Sequence, residues 1–117
     1  MRVTRIVEEF VSAELMERGI DLSVEGSENY GWVRDDALKV VERAEQAGLL
    51  VLGGNVWLSV GGRYRHAFDN WYCQPSSDQQ RVDVARCAIT ARDYISSYRH
   101  AAGEPQDRVL FEIVCRR

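Results

Sequence analysis

NVWLSVGGRYRHAF, residues Asn55–Phe68, contains two strand-like runs separated by a pair of glycines. Gly61-Gly62 forms a two-residue loop suited to the positive φ angles of a tight hairpin turn. Such a turn pairs Val60 with Arg63, Leu58 with Arg65 and Val56 with Ala67. Strand side chains alternate, so Trp57, Ser59, Tyr64, His66 and Phe68 share one face. Leu58, Val60, Arg63 and Arg65 share the other. The aromatic face reads as the core side, and the mixed aliphatic and cationic face suits solvent or a partner. A hairpin this plain commits the chain to antiparallel pairing, and the remaining segments must cover one side of it.

Upstream, Val3, Ile6, Val7, Phe10 and Val11 follow the spacing of an amphipathic helix running from Val3 to Glu17. Gly19 can stop it in the left-handed conformation, with Ile20 as the accompanying apolar contact. DLSVEGSENYG (Asp21–Gly31) reads as a loop with Leu22 and Val24 as possible anchors. RDDALKVVERAEQAG (Arg34–Gly48) is a second helix, with Asp35 and Asp36 favouring its first turn and Gly48 following its last. LLVLGG (Leu49–Gly54) is a short buried-type strand and its exit. Downstream of Pro75, a third helix carries the stripe Val84, Ala88, Ala91, Ile95 and Tyr98, widened by Val82, Ala85 and Ile89. HAAGEPQD (His100–Asp107) is a loop, and RVLFEIVC (Arg108–Cys115) is a strand rich in β-formers. The order α-α-β-β-β-α-β gives a single α+β domain over residues 1–117. It has a small, largely antiparallel sheet of about four strands and helices packed on one face.

At 117 residues and 45% apolar content, one modest core can form. The net charge of −3 argues against nucleic-acid binding, whose footprint is basic. The charge is uneven: residues 1–52 hold 11 Asp and Glu against 6 Lys and Arg, whereas residues 53–117 hold 7 against 9. Glu25, Glu28, Asp35 and Asp36 are therefore candidates for steering a cationic protein partner. The three cysteines, Cys73, Cys87 and Cys115, lack CxxC spacing, so neither a zinc site nor a redox motif is indicated. The opening segment is interrupted by Glu8 and Glu9, unlike a secretory signal, and no run is long enough to span a bilayer. Together these features predict a reduced, cytoplasmic domain with no membrane partner.

His66, Asp69 and Cys73 lie close enough in sequence to raise the possibility of a small enzyme with a Cys/His/Asp nucleophile. Alternation opposes it, because His66 points to one face while Asp69 and Cys73 point to the other. No glycine-rich elbow follows to make an oxyanion hole. His66 and His100 sit on different elements with no ligand spacing, so no metal or cofactor is expected. Gly53-Gly54 precedes a strand, not a helix, which removes the usual phosphate-cradling context. Within FDNWYCQP (Phe68–Pro75), Asp69 and Asn70 are expected to bond backbone near a bulge or the Gly53-Gly54 exit. Trp71 is retained as an interface residue, and Cys87 reads as a small buried hydrophobe. These residues describe a binding module better than a catalyst; an adaptor or structural subunit is a further possibility.

Four segments carry a family resemblance: NYGWVRDDAL (Asn29–Leu38), VLGGNVW (Val51–Trp57), FDNWY (Phe68–Tyr72) and LFEIV (Leu110–Val114). In order and spacing they resemble the immunity protein 40 family, over roughly residues 15–114, and the GGNVW…DNWY pair is the most specific part. Asn55 stands where an aspartate is expected, Trp57 where a tyrosine is common, and Val33 where a capping Ser or Thr is usual. The resemblance implies a protein that binds a cognate toxin of a bacterial polymorphic toxin system and holds it inactive. It supplies no catalytic or contact residues. The residues themselves nominate Leu58, Val60, Arg63, Arg65, Trp71, Asp35 and Asp36 for the partner, and Gly53, Gly54, Asp69, Asn70 and Tyr72 for a structural motif.

Overall fold

A computed structural model describes residues 6–76, 78–99 and 109–117. Two short helices, α1 (Val7–Phe10) and α2 (Ala13–Arg18), lead into strand β1 (Ile20–Asp21), and a single 3-10 turn (Ser23–Glu25) leads to β2 (Tyr30–Trp32). Then come α3 (Arg34–Gln46), the long strands β3 (Leu50–Val60) and β4 (Arg63–Tyr72), α4 (Gln80–Ser97) and β5 (Val109–Arg116). The sheet order is β1-β2-β5-β3-β4, and every neighbouring pair is antiparallel. The architecture is thus α+β, as the residue pattern suggests, with five strands.

The hairpin forms around Gly61 and Gly62, whose φ angles are 57° and 81°. Val60 pairs with Arg63 and Leu58 with Arg65, but Val56 does not pair with Ala67. Beyond the Trp57–His66 pair a bulge intervenes, and pairing resumes at Asn55–Asn70. Phe68 sits within the bulge at φ 64°, the only described non-glycine residue with positive φ.

The faces of the hairpin are the reverse of the expected ones. Leu58 is fully buried, in the main core with Val51, Val56, Val109, Phe111 and Ile113. The helices supply Leu15, Val40, Val41, Ala88 and Ile95 to that same core. The aromatic side holds only a smaller cluster, in which Leu22, Trp57 and Leu110 are buried with Tyr64 packed against them. Aliphatic strand residues mesh with flat helix faces at normal packing density, and here they recruit the helices. The aromatic face is roofed in part by the Asp21–Asn29 segment.

Other local expectations shift. The helix placed over Val3–Glu17 breaks at Val11, and Ser12 caps α2 by accepting from the Leu15 amide at 3.2 Å; Val3 lies outside the described residues. Gly19 has an ordinary φ of −73°. Its lack of a side chain serves packing, since a Cβ would press on the Trp32 indole. The supposed loop Asp21–Gly31 contributes to β1 and β2 and anchors through Leu22, while Val24 is exposed. LLVLGG and NVWLSV fuse into one strand through the glycine pair. Val82, Ala85 and Ile89 face solvent and do not widen the α4 stripe. The HAAGEPQD segment lies outside the described residues.

Candidate functional site

The stretch Phe68–Cys73 divides into two rows. Asp69, Trp71 and Cys73 turn towards the helices: Asp69 accepts from the Tyr98 hydroxyl at 2.6 Å, Trp71 stacks on Tyr94, and Cys73 is bonded to Cys87. Asp69 thus engages a side chain at the end of α4, where backbone partners were expected. Phe68, Asn70 and Tyr72 are exposed. Phe68 is 83% exposed and Tyr72 67%. The inner row fixes β4 to α4 and leaves the outer row free for contact.

Beside the outer row is a shallow hollow of about 280 Å³, with Leu52, Gly53, Asn55, Asn70, Tyr72 and Val114 among its lining residues. Gly53 and Gly54 of β3 line it with backbone alone. A Cβ at Gly53 would run into the Trp71 carbonyl, and one at Gly54 into the Glu112 carbonyl and the Trp71 ring. The glycine pair is therefore a mid-strand close approach and not a strand exit.

Under the open face lies a buried carboxylate. Glu112 of β5 accepts from Ser27 Oγ at 2.6 Å, Trp57 Nε1 at 2.9 Å and Asn55 Nδ2 at 3.3 Å. The carboxylate ties β5 to β3 and to the segment before β2, and it satisfies donors that burial would otherwise leave costly. Three of the four segments read as a family pattern meet on α4 or at this carboxylate. Arg34 completes the arrangement by donating to the carbonyls of Ile95, Ser96 and Tyr98 at the C-terminal end of α4. A cation is favourable at that end of a helix.

The nominated partner residues fall into two groups. Val60, Arg63, Arg65 and Asp35 are exposed, and Arg63 pairs with Glu25 at 3.2 Å. Leu58 is in the core, Trp71 is 7% exposed beneath Tyr94, and Asp36 is buried and paired with Arg18 at 3.0 Å. Those three cannot reach a partner of the folded chain. The burial of Leu58 and Trp71 follows from the helices lying on the aliphatic face. Arg18 reaches Asp36 from α2, a contact with no sequence signature.

The possible His66/Asp69/Cys73 nucleophile is not assembled. The His66 ring lies against Trp57 on the open face, at 4.4 Å between centroids, while Asp69 and Cys73 are engaged on the helix side. The Cys73–Cys87 disulfide, with Cα atoms 5.5 Å apart, also corrects the reading of Cys87 as a free buried thiol and of the domain as fully reduced. Cys115 is the free cysteine, packed against the main core. Burial pushes its thiol pKa up to about 12. Among the described residues, no group of three His, Cys, Asp or Glu could hold a metal ion, and no helix is long and apolar enough to cross a membrane.

Sequence reasoning missed Glu112, Ser27, Tyr98, Arg34 and Phe68 as organising residues. The signal for Glu112 was available: a lone carboxylate inside the apolar run VLFEIV needs a partner if that strand is central. Ser27 and Tyr98 carried none, because their partners are far away in sequence.

Among known proteins, the family model described as Immunity protein 40 matches residues 15–115. No curated protein and no solved structure matches the chain.

Proposed function

The chain belongs to the immunity protein 40 family, and on that premise we propose that it binds and neutralises a cognate polymorphic toxin in the producing bacterial cell. The family match over residues 15–115 carries this reading. Inhibition is by stoichiometric occlusion and not by chemistry, a view supported by the divergence of His66, Asp69 and Cys73. The contact surface centres on the β3–β4 hairpin and its edge strand, where Val60, Arg63 and Arg65 are exposed. Asp35 and Glu28 steer the approach by long-range attraction, while Glu25 is held by Arg63 within the hairpin surface. Neither nucleic acid nor membrane is part of the complex.

Purification of the tagged chain with the toxin domain encoded beside its gene tests the proposal. Association at a one-to-one ratio, together with protection of cells expressing that toxin, is the expected result. Absence of both removes the reading. Arg65→Glu should weaken association without unfolding the chain if the hairpin surface is the right one. The compartment of the encounter is read from the thiols. Cytoplasmic action requires Cys73 and Cys87 to be reduced in the cell, whereas an oxidised pair marks an extracytoplasmic site. Alkylation of intact cells before lysis distinguishes these states.

A further inference from the structure

Phe68 combines two features that a stable fold avoids. Its backbone occupies the left-handed region, which crowds any Cβ and disfavours a bulky residue most. The residue is 83% exposed, and its ring stacks on the His66 ring with centroids 5.7 Å apart. Glycine or asparagine would make the same bulge at lower cost. The bulge itself is held firmly, by the Trp57–His66 pair on one side and by Asn55–Asn70 on the other. Asp69 is tied to Tyr98 immediately after it. The surroundings thus hold an unfavourable conformation whose visible effect is to project an aromatic ring from an edge strand. Strain of this kind concentrates where a protein meets a ligand.

We propose that Phe68 is the anchor of the toxin complex, entering an apolar pocket on the toxin. This rests on the immunity reading above and specifies its contact. The contact is apolar in character: Arg65 shares the helix-side face with its strand partner Leu58, and Arg63 is held by Glu25. The toxin as occupant rests on the family match. Tyr72, four positions on and 67% exposed, gives a second aromatic contact at the hollow beside Gly53. Aromatic anchors ringed by polar groups carry most of the affinity in protein interfaces.

The test uses the full chain, the toxin domain encoded beside its gene, and the variants Phe68→Ala, Phe68→Gly and Ile89→Ala. Ile89 is exposed on α4, outside the proposed surface. Titration calorimetry should show Phe68→Ala and Phe68→Gly weakening Kd by about 30-fold or more, while Ile89→Ala leaves it unchanged. Phe68→Gly should also melt at least as high as the parent, because glycine accepts the left-handed backbone. Parent-like affinity in Phe68→Gly overturns the anchor and leaves the immunity reading standing. A lower melting temperature in Phe68→Gly shows that the ring serves the fold, and also overturns it. Self-association of the parent that Phe68→Ala abolishes assigns the ring to a second copy of the chain, with the same consequence. A parent that neither binds the toxin nor protects cells removes the immunity reading and the anchor together.

Discussion

Tyr98, the residue after α4, donates its hydroxyl hydrogen to Asp69 Oδ2 of β4 at 2.6 Å. The same ring meets Phe111 of β5 edge-on, at 5.7 Å and 88°, so one side chain joins the helix layer, the edge strand and the sheet centre. Burial first, and then the bond to Asp69, raises the Tyr98 pKa well above its ordinary value. Tyr98→Phe keeps the packing and removes the bond, with an expected loss of ~1–2 kcal/mol. Asp69→Ala should cost a similar amount, and the double variant should fall short of the sum. Urea titrations of the four proteins measure this.

The same shift fixes a pH dependence. A tyrosine whose folded pKa is raised favours the neutral form, so its stabilising contribution is complete below the unfolded value of about 10. It is lost as the pH rises from there towards the folded value. Tyr94 is shifted in the same direction, by burial and by Asp69. Stability should therefore fall above about pH 10, and less steeply in Tyr98→Phe. Melting temperatures across the alkaline range provide the check.

Glu112→Ala removes the acceptor shared by Ser27, Asn55 and Trp57. The buried Trp57 Nε1 then lacks an acceptor, at a cost of ~1–3 kcal/mol. Trp57 fluorescence should report the loosened roof below the global transition.

Gly54→Ala should be the most damaging single change, because its Cβ meets a strand carbonyl on one side and the Trp71 ring on the other. Neither can retreat without parting β3 from a neighbour. Gly61→Ala has open space around the new methyl group and suffers only the positive φ. It should cost roughly 1–2 kcal/mol and leave the chain folded. Expression in soluble form and thermal melts separate the two.

Unfolding without reductant should expose one titratable thiol, and unfolding with reductant three, because Cys73 and Cys87 are bonded and Cys115 is free. The bond closes a loop between positions 14 apart, and its removal should cost about 3 kcal/mol. In the folded chain, Cys115 should alkylate far more slowly at pH 8 than in the unfolded chain, its thiol pKa being about 12.

The β3–β4 turn was legible because Gly61-Gly62 acts locally. The α4 stripe Val84, Ala88, Ala91, Ile95 and Tyr98 was legible for the same kind of reason, its period being visible within one helix, and all five are buried. Which face of the hairpin would receive that stripe was not legible. Aromatic density at Trp57, Tyr64 and His66 looked like a core, yet the helices chose Val56 and Leu58, a decision made by packing between distant elements. β1 and β2 have two and three residues, too few for any alternation to register. The Cys73–Cys87 bond follows from how α4 docks against the end of β4, which spacing alone does not reveal. Exposure of the nominated surface residues turned on the same ground: Val60, Arg63 and Arg65 lie near the turn and are exposed, whereas the burial of Leu58 and Trp71 depended on the choice of face.

β5 follows every other strand in sequence, yet it lies between β2 and β3. Ser27 waits for a carboxylate 85 positions later. During synthesis the β3–β4 hairpin emerges early but has no neighbour on its inner side, and the short β1–β2 pair has none either. The sheet can close only after position 116 has left the ribosome, and contacts this distant form slowly. Until then the inner edge of β3 is unpaired, so correct folding depends on β5 arriving before another strand edge pairs with it.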